Sequence, residues 1–143
     1  MFKVISNQAI APDIKRIVIQ APVVAKKIQP GQFLVLRLTE NGERVPLTQA
    51  DSSPEKGEVT IVYQEVGKST KLLGTLRPGD NVMDLLGPLG VPIELKKYGT
   101  MLLLGGGPGT TRSLDQQILH QARPGRILRP ALADRSQEAV ERS

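Results

Sequence analysis

A period of two is the strongest constraint on this chain. In IKRIVIQAP (14–22), Lys15, Ile17 and Ile19 fall on one face of an extended segment. In QFLVLRLT (32–39), Leu34, Leu36 and Leu38 share one face, and Phe33, Val35 and Arg37 share the other. In EVTIVYQEV (58–66), Val59, Ile61 and Tyr63 alternate with Thr60, Val62 and Gln64. Side chains of a strand alternate between its two faces, whereas a helix repeats every 3.6 residues, so these runs are strands. Turn formers separate them: Pro30-Gly31, Asn41-Gly42, Pro54 to Gly57, and Pro78-Gly79. Short strands punctuated in this way predict an antiparallel barrel or sandwich. Within this part only KSTKLLGTL (68–76) reads as a helix, with Gly74 inside it.

The pattern changes near Tyr98-Gly99. TMLLLGGG (100–107) is apolar without alternation, which suits a strand buried on both faces in a parallel sheet. RSLDQQILHQA (112–122) places Leu114, Ile118, Leu119 and Ala122 on one side of a helix, and Ser113 and Gln116 have capping-box spacing. A weak strand over 125–134 follows, interrupted by Pro130, which cannot donate to a ladder. The expected organisation is a mainly β domain over 1–98 followed by an α/β, Rossmann-like fragment over 99–143. Charge changes at the same place: all nine lysines lie at or before Lys97, and six of the ten arginines lie at or after Arg112.

Composition narrows the function. With 143 residues, 39% of them apolar, the chain can bury a core. There is no cysteine, so disulfides and cysteine-held iron–sulfur clusters are excluded within the sequence given. Aromatics are 3% and Trp is absent, which argues against stacking platforms for nucleic acid. The formal charge of +5 reads either as a solvated basic surface or as attraction for phosphates or an acidic partner. No general acid/base, Ser/His/Asp or metal-ligand set stands out, and the lone His120 reads as a surface residue. No catalytic or metal-binding residue is therefore assigned. Chemistry would have to come from a cofactor. No run approaches the ~20 apolar residues of a membrane span, and the first ten residues have no signal-like apolar core, so the expectation is a cytoplasmic protein.

Three stretches allow a ligand-binding reading beside a plainer one: a polar helix cap, a glycine-rich turn and, for the third, a simple edge strand that is the stronger reading from the residues alone. GKST (67–70) lacks the first glycine of a Walker A loop, because position 62 is Val62. It lies between a strand and a helix, where backbone N–H groups attract phosphate, and Lys68, Ser69 and Thr70 add a charge and two hydroxyls. GGGPGTT (105–111) matches the first two glycines of a dinucleotide fingerprint with Gly105 and Gly107, but position 110 is Thr. In RVPLTQAD (44–51), Pro46 sits inside a strand-like run, which implies an edge or a place where the ladder opens.

Taken in order, PGQFLVLR (30–37), RVPLTQAD (44–51), VYQEVGKSTKLL (62–73), GDNVMDLLGPLGVP (79–92) and LLLGGGPGTT (102–111) resemble the ferredoxin-NADP reductase superfamily. Within it the chain looks like the flavoprotein subunit of NADPH-dependent ferredoxin reductase or sulfide dehydrogenase, and the related electron-transfer subunit of dihydroorotate dehydrogenase is also similar. The resemblance implies a six-stranded antiparallel Greek-key barrel that binds FAD. It implies that Arg44, Pro46, Leu47 and Thr48 stand where an Arg-x-Tyr-Ser or Arg-Pro-x-Ser motif holds the flavin, with the Arg one place earlier here. It implies that Val62, Tyr63 and Gln64 lie beside the flavin, and that Gly67, Lys68, Ser69 and Thr70 receive the pyrophosphate. Gly105, Gly106, Gly107 and Gly109 would open the NAD(P) domain, with Arg112 where the family has Pro.

The family also implies a function: electrons pass between NAD(P)H, FAD and an iron–sulfur partner subunit or a ferredoxin. The alternative is a non-catalytic FAD-binding or subunit-docking barrel, because the NAD(P) half is short here; an anion- or RNA-binding barrel is the third reading. The lysine-to-arginine switch, Arg112 and the early end predict a truncated or frame-shifted tail after a folded 1–98, without full activity alone.

Overall fold

The structure, a computed structural model, describes residues 1–94. The apolar strand at 100–107, the glycine loop with Gly105, Gly106, Gly107 and Gly109, the helix at 112–122, the weak strand at 125–134 and the boundary at Tyr98-Gly99 lie outside the described residues. The described part contains β1 (Phe2–Ala11), β2 (Ile14–Gln20), α1 (Pro22–Lys27), β3 (Phe33–Arg37) and β4 (Arg44–Ser53). β5 (Glu58–Gln64), α2 (Lys68–Thr75), β6 (Asn81–Val82) and β7 (Asp84–Leu89) follow.

The period-two faces become the core. Ile17 and Ile19 of β2, Leu34 and Leu36 of β3, and Val59, Ile61 and Tyr63 of β5 converge with Val4 and Val82 on one buried cluster. Leu38, on the same parity as Leu34 and Leu36, packs against its margin. Burying each large aliphatic side chain contributes roughly 1.5–3 kcal/mol.

All strand pairs are antiparallel, in the order β6-β1-β2-β5-β4-β3-β7. β3, β4 and β5 form a meander, while β2 reaches β3 through α1 yet lies beside β5, which is Greek-key order. The two edges of the sheet, β6 and β7, are separated in sequence by Met83 alone. One extended segment therefore changes partner at Met83. Its first part pairs with Phe2 and Lys3 of β1, and its second part pairs with β3. The sheet curls into a nearly closed barrel. The expected six strands become seven for this reason: the last strand is broken where it closes the barrel. Arg37 of β3 and Asp84 of β7 pair across that seam, with Arg37 Nε donating to Asp84 Oδ2 at 2.7 Å.

A second helix accompanies the expected one. α1 has Pro at its start, where the fixed φ suits a first helical residue and the missing N–H costs nothing. Its Val24 and Ala25 are buried. Six residues are too few for a helical period to register in the sequence, which is why PVVAKK escapes a pattern-based reading.

α2 occupies Lys68–Thr75, within one residue of the expected span, and lies against β1 and β2. Its internal Gly74 has a packing reason. A Cβ there would run into the carboxylate of Glu65 and come within 2.9 Å of Lys15 Nζ.

Candidate functional site

β4 and β5 start as partners and then part. From the β4–β5 turn inward, Ser53 pairs with Glu58, Ser52 with Val59, Asp51 with Thr60 and Gln49 with Ile61. The register slips between Gln49 and Asp51, a bulge that bends the strand. Beyond Gln49 the β4–β5 ladder stops. Arg44 to Thr48 continue to pair with β3 on their far side, and Val62 to Gln64 continue to pair with β2 on theirs. A fork results, with a main-chain edge of β4 on one side and a main-chain edge of β5 on the other. Pro46 lies on the open stretch of β4, opposite Val35 of β3, where its missing N–H is tolerated.

The start of α2 sits at this fork. Gly67 is its N-cap, with φ −126° and ψ 176°, and no atom lies within 4 Å of where a Cβ would stand. Gly67 has no side chain, so no cap oxygen reaches the N–H groups of the first turn. The Thr70 hydroxyl accepts instead from the N–H groups of Val66 (3.1 Å) and Gly67 (3.0 Å), which fixes the approach to the helix. Ser69 Oγ donates to Glu43 Oε2 at 2.6 Å and so ties the helix start to the residue preceding β4. Both arms of the fork are thereby joined at its mouth. An uncapped helix N-terminus with Lys68 at its first position is a favourable place for an anion.

The far end of α2 is held by the barrel. Asn7 Nδ2 donates to the carbonyls of Leu73 and Leu76, each at 2.9 Å. Lys15 Nζ donates to the Gly74 carbonyl at 2.8 Å and pairs with Glu65 Oε1 at 3.2 Å. Tyr63 OH donates to Asn7 Oδ1 at 3.2 Å. Burial pushes the Tyr63 phenol up to about 12 from its ordinary value of 10.0, and the negative charge of Glu65 adds to the effect. Tyr63 is therefore a neutral hydrogen-bond donor across the physiological range.

The expected site residues within the described part all border the fork, in three different ways. Arg44, Pro46 and Thr48 are exposed on the outer face of β4, as is Gln64 on the outer face of β5, with Val62 partly covered. Leu47 and Tyr63 have the opposite parity: Leu47 packs on the core and Tyr63 is buried in it. Only their main chain is available to a ligand in the fork. Gly67, Lys68, Ser69 and Thr70 form the third side. Sequence reading missed Gln49, whose buried Oε1 has no hydrogen-bond partner where the strands part. Its signal was a polar residue on the inward parity of Val45 and Leu47. Glu43, Asn7 and Lys15 were missed as well, because partners 26 to 69 residues away leave no local pattern.

Among the described residues no cluster of His, Asp or Glu could hold a metal ion. Among the same residues no helix is long and apolar enough to cross a membrane.

Residues 1–92 match the family described as the oxidoreductase FAD-binding domain. A dihydroorotate dehydrogenase B (NAD(+)) electron transfer subunit homolog of Thermotoga maritima is 46% identical over 107 residues, covering 75% of this chain and 38% of that protein. The solved structure of an NADH-dependent reduced ferredoxin-NADP oxidoreductase, described for flavin-based electron bifurcation, superposes with a TM-score of 0.74. It is 45% identical and covers 76% of this chain and 40% of that one. The cytochrome P450 reductase GcoB of Amycolatopsis superposes with a TM-score of 0.70 at 25% identity, covering 83% of this chain and 38% of that one. The chain thus spans about two fifths of the length of these relatives. It belongs to the oxidoreductase FAD-binding domain family, and through it to the ferredoxin-NADP reductase superfamily that its motifs resemble.

The fork fits the cofactor in the family's description. A flavin nucleotide combines a flat ring, edged with hydrogen-bonding groups, and a pyrophosphate. The parted strands offer two main-chain edges with no strand partner. The α2 start offers open space at Gly67 and cationic Lys68 for phosphate.

Proposed function

We propose that this chain is the FAD-holding part of an electron-transfer flavoprotein of the ferredoxin-NADP reductase type. The observation that carries the proposal is the opening of the β4–β5 ladder beyond Gln49, directly against an uncapped helix start. FAD, when bound, supplies the chemistry, accepting an electron pair from a nicotinamide and passing electrons on singly. The residues of the chain bind and orient it. Arg44, Pro46 and Thr48 from β4, with Val62 and Gln64 from β5, flank the ring, while Leu47 and Tyr63 contribute main-chain groups. Lys68, Ser69, Thr70 and the Gly67 backbone face the pyrophosphate, where charge-assisted hydrogen bonds from the helix start are strong.

The electron donor in this reading is NAD(P)H, bound by a domain that begins near Gly99 and includes Gly105, Gly106, Gly107 and Gly109. The acceptor is an iron–sulfur partner subunit or a ferredoxin, in the cytoplasm. The names of the relatives, one an electron-transfer subunit and one a ferredoxin-NADP oxidoreductase, support this reading.

The test is the visible absorption spectrum of the purified chain after incubation with FAD and removal of the excess. A retained flavin spectrum in near-equimolar amount is expected. A folded chain that retains no flavin would contradict the proposal. Retained flavin that NADPH and NADH both fail to reduce would assign the chain the role of a flavin-holding module without a nicotinamide site of its own.

A further inference from the structure

α2 is poorly anchored by apolar contact. Leu73 is its only buried residue, and most of its other side chains are exposed. Its orientation has to come from elsewhere, and the polar contacts at its C-terminal end supply it. Four terminal carbonyls are engaged. Leu72 O accepts from its own helix, through Thr75 Oγ1 at 2.8 Å. The carbonyls of Leu73, Gly74 and Leu76 accept from Asn7 of β1 and Lys15 of β2. Helix-terminal carbonyls are short of partners within the helix, and these side chains supply them; Leu73 O also accepts from the Leu76 N–H at 3.3 Å. A lysine ammonium is also well placed there, because the C-terminal end of a helix carries partial negative charge.

The clamp is itself supported. Asn7 Oδ1 accepts from the buried Tyr63 hydroxyl, which leaves the amide nitrogen free to reach both carbonyls. Glu65 accepts from Lys15 and sits against Gly74, where a larger residue would displace it. A helix of eight residues is about 12 Å long, so a tilt of ~10° at the clamped end moves the N-terminal N–H groups by about 2 Å. That is enough to break a hydrogen bond to a phosphate.

We infer that Asn7 and Lys15 are positioning residues for flavin binding. By gripping the C-terminal carbonyls of α2, they aim its opposite end at the cofactor's phosphates, which neither residue touches. The inference rests on the reading of the α2 start as the pyrophosphate site.

The test uses Asn7→Ala and Lys15→Met in the full chain, with Lys15→Arg as the conservative variant. Two quantities are read: FAD affinity by flavin fluorescence titration, and amide exchange in the flavin-free protein. Asn7→Ala and Lys15→Met are expected to weaken FAD binding by about tenfold, the order of one or two lost hydrogen bonds. Their α2 amides should exchange faster while β2, β3 and β5 exchange as in the parent. Lys15→Arg should retain most of the affinity. Unchanged FAD affinity in the first two variants, with the parent binding FAD, would overturn the inference and leave the site reading intact. Acceleration spread evenly over the barrel would also overturn it, because the effect would then be one of global stability. Failure of the parent itself to bind FAD would remove the site reading and the inference together.

Discussion

The two ends of the β4–β5 pair are built for opposite purposes. At the zipped end, Gln49 to Ser53 face Glu58 to Ile61, and Val59, Ile61 and Ala50 are buried. At the open end the same strands carry Arg44, Pro46, Thr48 and Gln64 into solvent and leave main-chain groups unpaired on their facing edges. A sheet that loses ladder hydrogen bonds needs something else to satisfy those groups. Stability resides where the strands meet, and the proposed flavin site lies where they part. The bulge between Gln49 and Asp51 is the hinge between the two regimes.

The largest expected effect breaks the zipped end. Ile61 is fully buried, and Ile61→Ala should lower stability by about 3 kcal/mol through lost burial and a residual cavity. Urea unfolding checks this, as a midpoint that falls without a change in slope.

Next comes the residue at the boundary between the regimes. Tyr63 ionises at about 12 in the folded protein and near 10 when unfolded. The folded state therefore holds its proton where the unfolded state releases it. Stability is intact below pH 10 and declines as pH rises toward 12, by up to about 2 kcal/mol. Tyr63→Phe should remove that contribution to the decline. At neutral pH it should cost about 1 kcal/mol, because Asn7 Oδ1 loses its donor. Thermal unfolding from pH 8 to 11 reads both.

The open end should behave differently. Arg44→Ala and Lys68→Ala remove exposed cations and should leave stability within about 0.5 kcal/mol. Each should weaken FAD binding by about tenfold, the order of one lost charge-assisted contact, to the ring edge for Arg44 and to phosphate for Lys68. Equal losses of stability and affinity would erase the distinction between the two ends.

The smallest change in stability gives the sharpest contrast. Gly67→Asp places a good N-cap residue into open space on a backbone already extended. It should stabilise by a few tenths of a kcal/mol, while its carboxylate competes with phosphate and lowers FAD affinity. Opposite signs in thermal unfolding and flavin titration are the expected pattern.

Much of this was legible in the sequence where the signal is local. The period-two runs around Ile17, Leu34 and Ile61 gave the strands and their inward faces. Pro46 announced an opened ladder, and GKST a helix start. What escaped was non-local or too short. Nothing near Met83 indicates that one strand will serve both edges of the barrel, since that depends on partners distant in sequence. α1 spans less than two turns. The clamp formed by Asn7 and Lys15 joins residues far apart in the chain, and neither has a neighbour that hints at it. Tyr63 and Leu47 sit inside motifs of the candidate site, yet their parity turns both side chains toward the core.

The most direct test of the central claim is amide exchange of the full chain with and without saturating FAD. The account expects added protection over Arg44–Thr48, Val62–Gln64 and Lys68–Thr70, with the zipped pairs from Gln49–Ser53 to Glu58–Ile61 unchanged. Protection confined to other surfaces, or no change along the parted strands while FAD is bound, would contradict it.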